Sequence, residues 1–248
     1  MGILYILWAR QLKRYIRSRS RLIGSLGQPI LFLLALGFGL GPIYAKSGGG
    51  NYMQFLAPGI IAMSILFTAM FSGMEIVWDR QFGFLKETLV APVSRFQIML
   101  GRTLGGATVA FLQGCIVFAI SLLAGFRPES WSLLPLAFLF MFVIAVLFTA
   151  LGTAIGSALQ DFQGFQLIMN FLVMPLFFFS GALFPFNDLP IALAIVTRIN
   201  PLSYGVDGLR GGFTGIAHFG LSVDMLVLGS ITLICLLVGS KLFARIQV

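Results

Sequence analysis

The sequence predicts an all-α polytopic membrane protein, and three observations predict it. Of 248 residues, 58% are hydrophobic and 10% charged, with a mean hydropathy of +1.00, too much apolar surface for one water-soluble core to hide. Apolar windows of about 20 residues recur, the length that carries a helix through hydrocarbon. The alternation of a membrane barrel is absent, and a lipid-exposed backbone must satisfy its own hydrogen bonds, which leaves helices.

Residues 1–21 come first. At 100° per residue Leu4, Trp8, Leu12, Tyr15 and Ile16 fall on one side, with Arg10, Lys13, Arg14, Arg17 and Arg21 on the other. This pattern predicts a basic amphipathic helix lying along a membrane interface; a nucleic-acid arm competes, and Trp8 on the apolar face favours the interface. The Arg-rich stretch is too long for the basic head of a secretory signal. Ile6 stands where a myristoylation signal needs Ser or Thr.

Six spans follow, at 22–44, 55–77, 103–126, 133–159, 165–184 and 221–243. The first holds Gly24, Gly27, Pro29, Gly37, Gly39 and Gly41, which permit close approach or a bend. A Gly-rich loop, residues 46–51, leads to the second, where Glu75 reads as an interfacial carboxylate. Gly101 with Gly105 and Gly152 with Gly156 have the spacing of helix contacts. Arg127, Glu129 and Trp131 anchor the turn between spans three and four. Between spans five and six, residues 185–220 are too long for a turn and too apolar for a solvated loop. Residues 190–196 are under half a spanning length, Asn200-Pro201 interrupts the run, and a second short helix over 202–210 sets Asp207 and Arg210 three apart, able to pair. The expectation is a re-entrant helical hairpin, its backbone buried in protein or lining a cavity.

Six spans put both termini on one side. The head, the stretch 79–102 and the tail carry twelve basic residues, against four (Lys46, Arg127, Arg198 and Arg210) on the other side. Positive charge stays inside, so the termini and 79–102 are expected to be cytoplasmic and the hairpin external.

Several chemistries are excluded. The net charge of +8 flanks the spans rather than marking a soluble nucleic-acid-binding domain. Cys115 and Cys235 lie in apolar runs and are expected to be free thiols. The single histidine, His218, has no cluster with which to bind metal and reads as an interface residue. Ser180-Gly181 lacks the glycine of an intramembrane nucleophile motif, having Phe178 instead, and has no base nearby. Every Asp and Glu falls at a span end or in a loop, so nothing at midplane carries protons for a secondary transporter. No phosphate loop occurs, and any ATP-driven transport needs a separate ATPase.

The stretch 79–102 is the chain's charged interruption, with Asp79, Arg80, Lys86, Glu87, Arg95 and Arg102. Apolar Phe82, Phe84, Leu85, Leu89 and Val90 interleave with Lys86, Glu87 and Thr88. A short helix over 83–90 is expected to stop before Pro92, with Ser94 and Gln97 spaced as a capping box for the next helix. Such a helix can seat in a partner's groove; a surface linker with no partner is the other reading.

These residues resemble the ABC-2 type family of transporter permeases, especially its drug-resistance branch. Two segments carry the resemblance: DRQFGFLKETLVAPVSRFQIMLGR, Asp79 to Arg102, and FFFSGALFPFNDLP, Phe177 to Pro190, followed by NPLSYGVDGLRG, Asn200 to Gly211. It implies the permease subunit of an exporter in a prokaryotic plasma membrane. Two six-span subunits, identical or related, would pair with two copies of an ATP-binding cassette ATPase, with no cofactor on this chain and Mg-ATP on the partner. By the same resemblance Gly83, Phe84, Leu85, Lys86, Glu87, Leu89 and Pro92 form the coupling helix. Phe179, Gly181, Pro185, Asn200, Pro201, Asp207 and Arg210 belong to the external gate. The cargo is left open among hydrophobic drugs, lipids and lipid-linked or complex polysaccharides. A non-transport scaffold or lipid-modifying enzyme is the alternative; a passive channel is disfavoured because the spans have no charged rings.

Overall fold

The structure, a computed structural model, describes residues 2–46, 51–85, 93–129, 131–186, 190–244 and 246. Helix α1 spans Ile3–Arg17 and α2 Arg19–Lys46. Helix α3, Tyr52–Ser72, is followed after Gly73 by α4, Met74–Gln81. Next are α5, Arg95–Leu123, and α6, Leu134–Ala158, the latter preceded by a 3-10 turn at Trp131–Leu133. The chain continues with α7, Phe162–Phe178; α8, Ile191–Ile199; α9, Pro201–Thr214; and α10, Leu221–Ala244.

Among the described residues, five helical stretches are long and apolar enough to cross a membrane: Leu22–Tyr44, Tyr52–Gln81, Arg95–Leu123, Trp131–Ala158 and Leu221–Ala244. The fifth predicted span is shorter than expected. Helix α7 has 17 residues, about 26 Å at the usual rise, and residues 179–184 form turns because Gly181 takes φ +71°, which only glycine adopts without strain. Helix α7 still runs from one end of the bundle to the other. Phe162 at its start packs on Trp78, while the Leu176 carbonyl near its end accepts from Asn200.

The most buried candidate span is Tyr52–Gln81, with α5, α6 and α9 around α3. Glycines set the tightest approaches. A Cβ on Gly152 would meet the Met70 carbonyl oxygen at 2.4 Å, and one on Gly156 the Gly73 oxygen at 2.3 Å, so here α6 crosses the α3–α4 junction backbone to backbone. Gly101 and Gly105 receive α1 through Leu7 and Gln11. Both spaced pairs in the sequence therefore mark helix contacts.

The head departs from its prediction in two ways. Ser18 separates α1 from α2, so Arg19 to Arg21 begin the first long helix. The apolar face of α1 packs along α5: Trp8 Nε1 donates to Thr108 Oγ1 at 3.0 Å, and the Tyr15 hydroxyl donates to Gln113. Leu7 is buried, whereas Ile16 is 60% exposed. With the contact stripe centred on Leu4, Gln11 and Tyr15, Ile16 sits a third of a turn away and Leu7 on its flank.

Candidate functional site

Two constellations lie at opposite ends of the bundle. At the first, Leu7 of α1, Ile76 of α4, Leu85, Ile98 of α5, Phe243 of α10 and Ile246 form one apolar cluster. Both terminal regions and the 79–102 stretch thus meet at one end.

That stretch is mostly helix. Asp79 and Arg80 lie in α4, and Arg95 to Arg102 open α5, with the Ser94 hydroxyl accepting from the Gln97 N–H at 3.3 Å as the spacing predicted. What remains between helices begins at Phe82. Gly83 turns the chain with φ +80°, and Phe84 and Leu85 are helical. The rest of the expected coupling helix, including Lys86, Glu87, Leu89 and Pro92, lies outside the described residues. Leu85 was expected among the residues offered to a partner, yet it is fully buried in the apolar cluster and anchors the segment from within. Phe82 and Phe84, 65% and 52% exposed, face outward.

Charges hold this end together. Arg102 donates to Asp79 at 2.6 Å with both side chains buried, and Arg10 reaches Asp79 at 3.6 Å. Arg14 lies 3.7 Å from Glu75. Glu75 is 8% exposed, so the interfacial reading is corrected: α1 covers it. Arg80 donates to the Ser157 and Leu159 carbonyls at 3.0 and 2.7 Å, placing a cation where the C-terminus of α6 has unsatisfied acceptors. Arg95 donates to the Ile246 carbonyl at 2.7 Å. Beside these pairs a groove of about 1010 Å³ runs along α1, lined by Tyr5, Ile6, Lys13, Arg17 and Phe84 among others.

At the other end most of the predicted gate residues come together. Asn200 joins α8 to α9: its side chain accepts from Leu202 N at 3.0 Å as the N-cap and donates to the Leu176 carbonyl at 2.7 Å. Pro201 occupies the first turn of α9, where its missing N–H is not needed. The Ser203 hydroxyl donates to the Phe179 carbonyl at 3.3 Å. Arg210 donates to the Gly181 carbonyl at 2.9 Å and lies over the Phe55 ring, 4.1 Å from its centroid. Desolvation lowers this guanidinium from its ordinary value to about 10, which leaves it charged at neutral pH. Pro185 is exposed.

The expected pairing of Asp207 with Arg210 is not what forms. Both Asp207 oxygens accept backbone N–H groups, from His218 at 2.9 Å and Phe219 at 2.7 Å, so the carboxylate closes the loop into α10 and the arginine turns to carbonyls. Asp224, fully buried in the first turn of α10, lies against Asp207. The sequence reading also missed Gly205, Gly208 and Gly212, which seat α9 on Ile144, Phe140 and Ala137 of α6. Their steps of three and four were the available signal.

Among the described residues, five helical stretches able to cross a membrane, with the α8–α9 pair packed at one end and an apolar, ion-paired segment at the other, make a polytopic membrane protein. The sequence pattern described as ABC-2 type transporter matches residues 3–214, and the chain belongs to that family as a transport permease membrane subunit. It is 30% identical to the inner membrane transport permease YadH of Escherichia coli K12 over 213 residues, 85% of this chain and 82% of that one. It is 29% identical to the putative transport permease ycf38 of Cyanophora paradoxa over 84% of this chain and 72% of that one. With nodulation protein J of Rhizobium leguminosarum bv. trifolii the identity is 28%, over 83% and 76%.

Proposed function

We propose that the chain is the membrane subunit of an ATP-driven exporter in a prokaryotic plasma membrane, with six traversals and both termini cytoplasmic. Two copies, or one with a related chain, work with two copies of an ATP-binding cassette ATPase. Mg-ATP binds on that partner and no cofactor binds here. The observation that carries this reading is the segment after α4: Phe82 and Phe84 project from it while Leu85 roots it. Gly83, Phe84, Lys86, Glu87, Leu89 and Pro92 then make the face that meets the ATPase, and Leu85 makes the joint.

Closure of the ATPases moves this joint as a rigid body. Buried Asp79–Arg102 and the α1 contacts pass the displacement to α4, α5 and α1 together. At the other end Phe179, Gly181, Asn200, Pro201 and Arg210 hold the external hairpin against α3 and α7, Asp207 ties it to the loop into α10, Pro185 lies in its approach, and their rearrangement opens the exit. The cargo is a hydrophobic drug, a lipid, or a lipid-linked or complex polysaccharide.

The test is co-purification with the ATPase and permease-stimulated ATP turnover. Phe82→Asp with Phe84→Asp is expected to abolish both while the permease keeps its melting temperature. Leu85→Asp is expected to lower that temperature as well. Unchanged ATPase binding and turnover in the double variant would overturn the coupling assignment.

A further inference from the structure

At the end of the bundle that holds Asn200 and Arg210, two carboxyl groups meet out of water. Helices α9 and α10 approach closely because Gly211 lies under Leu221, where a Cβ would meet the leucine side chain at 2.7 Å. Asp207 is one turn before that glycine and Asp224 one turn after that leucine, so the two acids stand at the same level of neighbouring helices. Asp224 is fully buried, and among the described residues no donor reaches either of its oxygens. Asp207 is 1% exposed and lies within hydrogen-bonding reach of it, while both Asp207 oxygens accept from the His218 and Phe219 N–H groups.

The surrounding charges do not balance two carboxylates. On α9, Arg210 spends its donors on the Phe55 and Gly181 carbonyls and lies over the Phe55 ring, so one cation stands near two acids. The Tyr204 hydroxyl, also on α9, donates to the Arg198 carbonyl at 2.8 Å. In the loop before α10 the His218 imidazole is exposed, 5.4 Å from the Phe186 ring, and it is the His218 backbone that reaches Asp207. Glu129, whose N–H donates to the Phe213 carbonyl at 2.9 Å, adds a negative charge at this end. Helix α6, packed along α10, carries no charged residue. Helix α5 brings Arg95 and Arg102 only at the opposite end, where Arg95 donates to the Ile246 carbonyl. Ionised carboxylates only accept hydrogen bonds, so contact between two of them in a water-excluded site is repulsive unless something lies between them.

We infer that Asp207 and Asp224 form a proton-binding site that clasps α9 to α10, one exchangeable proton lying between the two carboxyl groups and turning their contact into a hydrogen bond. The proton belongs to the pair. When it passes to water, two negative charges are left side by side, and the first turn of α10 is pushed from α9. Asp207 also holds the loop of residues 215–220, so the hairpin loosens with it. Acid therefore keeps this end closed and alkali opens it. The inference rests on the export reading only in placing this end outside the cell, where the pH of the medium reaches it.

The test uses the permease alone in lipid nanodiscs, which expose both faces to the buffer. The infrared spectrum of the wild type is expected to show the carbonyl band of a protonated carboxyl group, shifted by exchange into heavy water and lost in Asp224→Asn. The asparagine amide donates to Asp207 without a titratable proton, so this variant keeps the clasp shut. From about pH 6 to about pH 9, the range in which shared buried protons are lost, the wild-type melting temperature is expected to fall by about 4 °C per pH unit once the proton leaves. That of Asp224→Asn is expected to stay level. Asp207→Asn removes the neighbouring charge and should release the proton at lower pH, which gives a second reading if Asp224→Asn folds poorly. No infrared difference between wild type and Asp224→Asn, the same pH profile in both, or a wild-type melting temperature that follows added sodium or calcium ions instead of pH would overturn the site. No ATPase is present, so a negative result bears on the proton site and leaves export to the coupling experiment.

Discussion

Asp79 and Arg102 show how a single pair governs one end of the molecule. Both side chains are buried and hydrogen-bonded at 2.6 Å, so removing one partner leaves the other charge without compensation. Asp79→Ala is expected to cost about 3 kcal/mol, read as a fall in melting temperature of the purified permease. Asp79→Leu with Arg102→Met should recover most of it, because the buried charges go together. Arg10, half exposed at 3.6 Å, contributes little by comparison. The sequence placed these charges in one stretch, but their being partners 23 positions apart was not legible, since α4 and α5 first had to be brought side by side. Asn200 was legible only as a break, Asn-Pro interrupting an apolar run; that it caps α9 and bonds the Leu176 carbonyl emerged from the structure. Asn200→Ala is expected to cost about 1 kcal/mol for the cap, and more for the bond to Leu176.

At the scale of elements, small residues decide which helices touch. A Cβ on the α6 glycines would meet backbone oxygens at 2.4 and 2.3 Å, whereas one on Gly101 would meet the Leu7 Cβ at 3.1 Å, which a small shift of α1 relieves. Gly152→Ala is therefore expected to destabilise by about 2 kcal/mol or more, and Gly101→Ala by clearly less, in parallel thermal melts. Among the described residues the long apolar helices overlap the runs seen in hydropathy, Leu22–Tyr44 and Leu221–Ala244 closely, whereas Arg95–Leu123 begins eight residues ahead of its run, and the fifth run outlasts its helix. There the apolar run continues past Phe178, where the helix ends, to Leu183 and Phe184, because hydropathy does not register the turn at Gly181. The face of α1 was readable too, though periodicity alone offered no way to know that α5 rather than lipid would take Leu7, Trp8 and Tyr15.

For the whole molecule, the cluster of Leu7, Leu85, Phe243 and Ile246 gathers both terminal regions at one end, and the α9–α10 loop with Ile216 lies at the other. In a native chain with Cys115 and Cys235 replaced by Ala, Phe82→Cys and Ile216→Cys should react with an impermeant thiol reagent from opposite faces of sealed vesicles. Reaction from the same face would overturn the proposed topology. Helices α2, α7 and α8 keep large exposed apolar surfaces, among them Phe171 at 82% and Ile191 at 81%, available to lipid or to a second subunit.

The sequence by itself determined that this chain is helical and membrane-bound, where its apolar runs begin and end, and that its family is the ABC-2 type transporters, because hydropathy, helical period and local motifs are properties of neighbouring residues. Only the tertiary structure decided that Leu85 is a root rather than a contact and that Asp207 holds the backbone rather than Arg210. Each of these depends on which distant helix arrives to desolvate a side chain, and that is settled by packing, not by adjacency along the chain.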